Sequence, residues 1–348
     1  MSVPDGLVSI SGRSNVTNCI KCKGVNGVPA VFIRKDDPPL CNEALLFAWP
    51  FLVCFCRTCF LSGCVHKFRS AFGKANIVRN RDAVALAFSG GASSLAMLQL
   101  AKMCHSTSQA RKLRFQPTVI CLYDVGQPYP HKQEEAMKVV GFDYRIVRTD
   151  EVSVCDLNLN TMYCTDSCQS FTIPLDKNEG DFVDQLSAST ALTNSALTAA
   201  EETLRWRRLK QLVLYTSRSL GHRFLLVGDN ASQLAAQCLA GIAQGRGGSV
   251  AAELDFADTR FTDVTILRPM FNFLANEVVL FLRYAGLDAV IEPTLSLEQT
   301  LARGPGVNSI QRLTQDFISS LQFAGFPSTT KAVLRYVEQF FLFKPNLI

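Results

Sequence analysis

Two short turns in this sequence carry residue types that bind phosphate groups. The first lies between the apolar run 83–88 and the helical pattern 93–103, and reads Ser89-Gly90-Gly91-Ala92-Ser93-Ser94. Glycine lets the backbone approach a phosphate and adopt a positive φ, and the N–H groups that open a helix lie at the positive end of its dipole. Ser93 or Ser94 can cap this helix or bind a phosphate oxygen. The turn therefore predicts a nucleotide-binding loop, with an ordinary capped turn as the alternative.

The second turn, Gly228-Asp229-Asn230-Ala231, follows the apolar run 224–227 and opens the helical pattern 231–243. In open parallel sheets, ligands bind at the carboxyl ends of the strands. Asp229 and Asn230 are therefore further candidates for nucleotide binding. The alternative is that they serve only as a helix cap.

The cysteines near the start of the chain have metal-ligand spacing. Cys19 and Cys22 form one Cys-x-x-Cys pair, and Cys56 and Cys59 form another. Two such pairs complete a tetrahedral zinc site, so the pattern predicts structural zinc. The 33 residues between the pairs exceed the usual spacing of about 15–20. Cys41 lies within this gap and is an alternative ligand to Cys56.

Two clusters of cations are candidates for contact with a nucleic-acid backbone. The first lies beside the cysteine region and contains Lys67, Arg69, Lys74, Arg79 and Arg81. The second surrounds Trp206 on a predicted helix and contains Arg205, Arg207, Arg208 and Lys210. Basic side chains with an aromatic neighbour can hold phosphates and stack on bases. A solvated helix face is the alternative.

The elements that must position these residues alternate between strand and helix. Apolar runs predict strands over 83–88, 118–123, 144–148, 223–227 and 264–268. Periodic patterns predict helices over 93–103, 131–140, 199–220, 231–243 and 275–285. This alternation is typical of an α/β fold with a doubly wound parallel sheet. The polar segment 165–195 is predicted to be a long loop.

Composition narrows the class of protein. The 348 residues are 48% hydrophobic and 19% charged with a net charge of +5, which permits but does not demand a nucleic-acid partner. No apolar run reaches the roughly 18 residues that span a membrane, and no N-terminal stretch has a signal-peptide pattern. The 13 cysteines are an odd number, which favours reduced thiols or metal ligands over a disulfide framework.

These patterns predict four regions along the chain. A disordered tail over 1–14 precedes a loop-rich, cysteine-rich metal-binding region over 15–75. The α/β domain follows over 76–300. A C-terminal helical extension over 301–348 completes the predicted organisation.

Several of these motifs together resemble one family. They include the first Cys-x-x-Cys pair, the loop 89–94 and the turn 228–231, joined by Asp258-Thr259-Arg260-Phe261 and by the segment 264–270. In order and spacing they are similar to the cytosolic thiouridylase subunit 2 family of the PP-loop superfamily. The resemblance covers most of residues 19–335.

The resemblance implies a PP-loop ATP-pyrophosphatase fold and a cytoplasmic role in 2-thiolation of the wobble uridine of tRNAs for Lys, Glu and Gln. It implies a heterodimer with a catalytic PP-loop paralogue, which adenylates the uridine with ATP and transfers sulfur from a thiocarboxylated ubiquitin-related modifier. Full-length relatives continue into a further cysteine-bearing tail, so the resemblance also implies a truncated C-terminal region.

The chain departs from the active enzymes of that superfamily at three places. Ser93 stands where their loop has Asp, and Ser232 and Gln233 stand where thiolation enzymes have acidic residues. Their central Cys-x-x-Cys is replaced by Cys164 and Cys168, which are one residue further apart, and Cys238 falls on a predicted helix. A neutral hydroxyl cannot supply the electrostatic stabilisation of a carboxylate that positions a metal–phosphate group.

The departures favour a degenerate, tRNA-binding subunit that acts through a catalytic partner and leave ATP binding open. The first alternative is a self-sufficient ATP-dependent tRNA sulfurtransferase. A second is a zinc-ribbon module that binds nucleic acid without any link to thiolation, although the nucleotide-sized site at the Gly-Gly turn argues against it.

Overall fold

The computed structural model describes the chain in segments, which contain all the elements given below. The described residues are 31–32, 54–106, 113–123, 129–149, 199–261, 263–287, 310–324, 326 and 328–342. The predicted tail over 1–14 and the predicted loop over 165–195 lie outside them. By contact density the chain divides into two compact units, 1–63 and 64–348. The first contains an antiparallel pair of short strands, β1 (Val31–Phe32) and β2 (Cys54–Phe55).

A six-stranded sheet forms the centre of the second unit. In spatial order it runs β5-β4-β3-β6-β8-β7. The strands are β3 (Ala83–Phe88), β4 (Gln116–Tyr123), β5 (Asp143–Arg148), β6 (Phe224–Leu226), β7 (Ala257–Asp258) and β8 (Thr265–Leu267). All neighbours pair in parallel except β7, which pairs antiparallel with β8 at one edge. The predicted parallel sheet is confirmed, with one short antiparallel strand added.

Helices precede, connect and follow these strands along the chain. In chain order they are α1 (Arg57–Ala75), α2 (Ala92–Ser106), α3 (His131–Val140), α4 (Ala199–Ser219), α5 (Ala231–Ala243), α6 (Gly247–Leu254), α7 (Ala275–Ala285), α8 (Ile310–Phe323) and α9 (Ser328–Leu342). Within the described part of the chain, no helix is both long and apolar enough to cross a membrane.

The core lies on both faces of the sheet. On one face, Leu214 of α4 packs against Ala85, Leu225 and Ile266 of three adjacent strands. Because side chains alternate along a strand, the buried Val84 projects from the opposite face, and α2 lies against β3. The chain thus covers both faces, as a doubly wound sheet requires.

The C-terminal helices pack directly on the helix that follows the second turn. Ile318 of α8 is fully buried against Ala235 and Ala236 of α5, and Val333 and Leu334 of α9 join the same cluster. These described parts of the predicted extension therefore contribute to the core of the α/β unit.

Some elements differ from the sequence-based predictions. Residues 57–75, predicted to be loop-rich, form helix α1, in which the buried Phe68 and Phe72 pack ring to ring. The short helix α6 and the two-residue strand β7 were not predicted. An eight-residue helix that begins with two glycines and a two-residue strand carry too little periodicity to be detected. The four-region division of the chain stays a prediction.

Candidate functional site

The loop after β3 has the backbone shape that its glycines permit. Gly90 has a φ of 78°, in the left-handed region that glycine adopts without strain. A Cβ at this position would lie 3.1 Å from Cγ of Gln133 in α3. The turn is thus closely covered by α3 on one side, and α2 begins two residues later at Ala92.

The two serines of this loop have different surroundings. The buried Ser94 hydroxyl donates to the carbonyl of Gly91 at 2.9 Å and accepts from the backbone N–H of Ser89 at 3.4 Å. Its hydroxyl also lies 3.2 Å from that of Ser89. Ser94 therefore stabilises the turn itself. Ser93 faces the second turn, where its Oγ accepts a 2.7 Å hydrogen bond from Nδ2 of Asn230.

The second turn is held by a reciprocal cap and by close backbone contact with the first. Asn230 Oδ1 accepts from the N–H of Gln233, while Gln233 Oε1 accepts from the N–H of Asn230, each at 3.0 Å. A Cβ at Gly228 would lie only 2.8 Å from Cα of Ser94, so only glycine fits there. Because β3 and β6 are neighbours in the sheet, the fold brings together the two turns that the sequence singled out.

Asp229 is paired with a buried arginine that sequence reasoning did not select as a site residue. Its Oδ2 lies 3.4 Å from Nε of Arg268, which is only 3% exposed. Arg268 also donates from Nη1 to the carbonyl of Asp255 at 2.9 Å. The signal in the sequence is an arginine directly after the buried strand β8, at the same edge of the sheet as the two turns.

A second buried carboxylate, Asp258, gathers several cations beside Arg268. Arg260 donates from Nε and Nη2 to its two oxygens, each at 2.8 Å. Nη2 of Arg268 lies 3.8 Å and Nζ of Lys210 3.9 Å from Oδ2. Burial alone would raise the pKa of Asp258, but the hydrogen bonds and charge of Arg260, with the charges of Lys210 and Arg268, hold it below its ordinary value. The carboxylate is therefore ionised near neutral pH.

Ser232 occupies a position where the resembled enzymes have an acidic residue, and here it joins helices together. Its buried hydroxyl accepts from the N–H of Ala275 at 3.1 Å and from Nε2 of Gln322 at 2.7 Å. The same Nε2 donates to Thr330 at 2.9 Å. The side chain thus links α5 to the start of α7 and to α8 and α9.

The predicted tRNA-binding cations fall into three kinds of surroundings. Lys67 of α1 lies 2.6 Å from Oε2 of the buried Glu277 and 4.4 Å from the ring centre of Phe273. Arg69 is half-buried, whereas Lys74 is exposed at the end of the same helix. The remaining candidates, Arg205, Arg207 and Arg208, lie in α4, and the positions of their side chains are outside the description.

The structure describes two of the five candidate zinc ligands. Cys56 directly precedes α1 and is fully buried, and Cys59 lies half-buried in the first turn of that helix. The N–H of Phe60 donates to the carbonyl of Cys56 at 2.9 Å, which closes that turn. Thiolates spaced three apart on a helix lie on one face, as a metal-binding pair requires. The candidates Cys19, Cys22 and Cys41 lie outside the described residues, and among the described ones no group of three possible ligands forms.

The other described thiols are buried in apolar surroundings. Burial raises the pKa of Cys64 and of Cys121 to about 12 and that of Cys104 to about 11, with the carboxylate of Glu277 adding to the shift at Cys64. Burial also raises the pKa of Cys238 in α5. These groups are protonated and unreactive near neutral pH. Cys164 and Cys168 lie outside the described residues.

Comparison with known proteins identifies relatives over nearly the whole chain. The sequence matches no protein-family model. It is 28% identical to cytoplasmic tRNA 2-thiolation protein 2 of Danio rerio, covering 97% of this chain and 70% of that protein. The protein of the same name from Homo sapiens is also 28% identical, over 94% of this chain and 68% of its own length. These homologues confirm the resemblance.

The fold has a counterpart among solved structures. The U34-tRNA thiolase NcsA from Methanococcus maripaludis, solved with its [4Fe-4S] cluster, superimposes with a TM-score of 0.53 at 15% identity. The match covers 88% of each chain. The predicted PP-loop ATP-pyrophosphatase fold is confirmed.

Proposed function

We propose that this chain, a homologue of cytoplasmic tRNA 2-thiolation protein 2, is a subunit required for 2-thiolation of the wobble uridine in tRNAs for Lys, Glu and Gln. We place this role in the cytoplasm, in keeping with the names of the homologues. The observation that carries the proposal is the pair of facing turns at the carboxyl ends of β3 and β6, joined by the bond from Asn230 to Ser93. This arrangement supports a site of nucleotide-binding origin.

We propose further that the chain acts through a catalytic PP-loop paralogue as a heterodimer. In this scheme the paralogue adenylates the uridine and transfers sulfur from a thiocarboxylated ubiquitin-related modifier. The side chains here support a non-catalytic role, because Ser93 is neutral and Ser232 is occupied by Ala275 and Gln322. Asp229, the carboxylate of the second turn, is matched by the buried cation of Arg268.

The test of the role is the thiouridine content of tRNA in cells that lack the chain. We expect thiouridine to be lost and to return when the parent gene is restored. A pull-down from the same cells should recover a PP-loop paralogue. Normal thiolation without the chain would contradict the proposal.

The alternative, a self-sufficient ATP-dependent tRNA sulfurtransferase, predicts turnover by the isolated chain. Pyrophosphate release with ATP and substrate tRNA distinguishes the two. We expect little or no release, because a serine cannot position a metal–phosphate group as the missing carboxylate would. Robust release by the isolated chain would favour the alternative.

We propose that tRNA contacts the basic residues of α4. Each Lys or Arg that neutralises a phosphate releases counterions, so binding weakens as salt rises. Reversing Arg205, Arg207 and Arg208 to Glu should weaken tRNA binding and flatten its dependence on salt, while association with the paralogue stays intact. An unchanged affinity and slope would mean that these residues form only a solvated helix face.

We also propose a structural zinc ion bound by Cys19, Cys22, Cys59 and either Cys56 or Cys41. Bound zinc would supply folding free energy to a region with little apolar core of its own. Metal analysis of a C19S, C22S double variant should show the loss of one equivalent. Separate C56S and C41S variants should identify the remaining ligand, because only the true ligand should lower metal content. A parent protein without metal would contradict this proposal.

A further inference from the structure

Three aromatic rings lie together where β4 ends and α3 begins. Tyr123 is the last residue of β4, and its ring centre is 5.9 Å from that of Tyr129 in a near-perpendicular arrangement. Tyr129 lies 4.8 Å from His131, the first residue of α3. Tyr129 keeps 41% of its surface exposed. His131 is also exposed and Tyr123 is partly exposed, so the group presents aromatic rings to solvent.

The exposed ring of Tyr129 is held by its contacts with two neighbouring rings, Tyr123 and His131. The carboxylate of Glu134 lies near the phenol of Tyr129, accepts a hydrogen bond from Tyr144 at 3.1 Å and pairs with Lys138 at 2.8 Å. Desolvation and the neighbouring carboxylate of Glu134 raise the pKa of Tyr129, so the phenol stays protonated near neutral pH. A ring packed against two others loses little conformational entropy when a ligand stacks on it.

The rings lie beside the Gly-Gly turn and beside positive charge. Gln133, two residues after His131, covers Gly90, so α3 connects the rings to the turn. Arg148 is exposed at the end of β5 and stands next to Tyr123 in the sheet register. Lys132 is exposed in the first turn of α3. Aromatic faces flanked by cations complement a single nucleic-acid strand, whose bases stack while its phosphates meet the charges.

We propose that Tyr129, supported by Tyr123 and His131, is a stacking platform for an unpaired base of the RNA substrate. This inference rests on the proposed function, because it assumes that the chain binds tRNA. The open exposure of the ring suits a base splayed out from a loop, whereas cofactor-sized nucleotides occupy concave pockets. The platform would deliver the RNA to the edge of the sheet that carries both turns.

The test uses the full-length chain with any paralogue that copurifies with it. The probe is an anticodon stem-loop RNA with 2-aminopurine in its loop, since stacking quenches the fluorescence of this base. Y129L removes the ring, whereas Y129F keeps the ring and removes only the hydroxyl. The matched control is Y336L, because Tyr336 is a 57% exposed tyrosine of α9. Thermal unfolding confirms that all variants fold.

We expect Y129L to weaken RNA binding by about 5-fold to about 100-fold and to abolish the quenching, as the loss of one stacked base would do. Y129F should retain the quenching and bind close to the parent, and Y336L should match the parent. Equal binding and quenching by Y129L and parent would overturn the platform. So would a loss confined to binding of a fluorescent ATP analogue, which would assign the rings to adenine.

The outcomes separate this inference from the proposed function. If the parent binds tRNA and restores thiolation while Y129L does both equally well, only the platform fails. If the parent neither binds tRNA nor supports thiolation, the proposed function and the platform fail together.

Discussion

The two turns and the Asp258 cluster lie along one edge of the sheet, yet neutral groups hold the turns together and charged groups hold the cluster together. The turns meet through neutral groups: the Ser93 hydroxyl, the Asn230 amide and the bare backbone of Gly228. The Asp258 cluster, by contrast, is held by charge, with Arg260 and the buried Arg268 around one carboxylate.

This contrast shows that the carboxylates at this edge of the sheet are paired with arginine and that none stands at position 93. Asp229 and Asp258 are both matched by Arg268, so their charges are used within the fold. At Ser93, where an active PP-loop enzyme would place a carboxylate toward its ligand, the charge is absent. The edge thus retains the electrostatics that stabilise its shape and lacks the loop carboxylate that would assist chemistry.

Loss of the Asp258 charge should have the largest effect. D258N leaves the guanidinium of Arg268, 3% exposed, with a weaker set of partners. Removing one member of a buried ion pair costs about 3–5 kcal/mol, and we expect the free energy of unfolding to fall by about that amount in urea titrations. D263N is the matched control, because Asp263 pairs with Arg218 at the surface and should cost less than about 1 kcal/mol.

The parent and D258N should also differ in how their stability depends on pH. The folded pKa of Asp258 lies below its unfolded value of about 3.9. Its contribution is therefore fully present above that value and is lost as pH falls through the folded pKa. The stability gap between parent and D258N should be constant near neutral pH and should narrow only below about pH 4. A gap that narrows between neutral pH and that point would mean that another group titrates.

Separating the two turns tests the neutral side of the comparison. In G228A the added Cβ would lie 2.8 Å from Cα of Ser94, and backbone cannot move aside as a flexible side chain can. We expect a loss of about 1–3 kcal/mol in stability, typical of overpacking. In the control G73A the new Cβ meets nothing within 4 Å, so this exposed site in α1 should gain up to about 1 kcal/mol. If G228A and G73A changed the free energy of unfolding equally, the two turns would be able to move apart to accept the added Cβ.

Lys67 and Lys74 test whether a basic residue of α1 serves the fold or the RNA. K67Q removes the cation that lies 2.6 Å from the buried Glu277, so we expect a stability loss of about 1–2 kcal/mol. The exposed Lys74 should behave in the opposite way: K74Q should change stability by less than about 0.5 kcal/mol. It should reduce the salt slope of tRNA binding by about one. A salt slope lowered by K67Q alone would reverse this assignment.

The smallest expected effect is that of the link between the turns. S93A removes the acceptor for Nδ2 of Asn230 and should cost about 1 kcal/mol. N230A removes that bond and also the cap of α5, for about 0.5–2 kcal/mol. A double-mutant cycle isolates the bond itself, and a coupling energy of zero would mean that the turns are held by Gly228 alone.

Sequence patterns identified the elements well where periodicity was strong. The bounds of β3, α3, α5 and α7 were predicted as the structure has them, and the two turns were singled out by their glycines and polar residues. A local pattern cannot reveal which distant residues meet. Lys67 and Glu277 are 210 positions apart, and the partnership of Arg268 with Asp229 depends on the order of strands in the sheet.

The aromatic group escaped sequence reasoning for a similar reason. Tyr123 ends a strand and His131 starts a helix, so no single periodic segment contains both. The Gln322–Ser232 bond likewise joins two helices whose separation along the chain conceals it.

Because these thiols are buried, an alkylating reagent should distinguish the folded chain from the unfolded one. Only thiolates react with iodoacetamide, and Cys64, Cys104 and Cys121 have pKa values of about 11 to 12. Near neutral pH, these three should stay unlabelled in the folded protein and become labelled in urea. Mass spectrometry of the alkylated peptides would then report unfolding of the α/β unit, with its own buried cysteines as the probes.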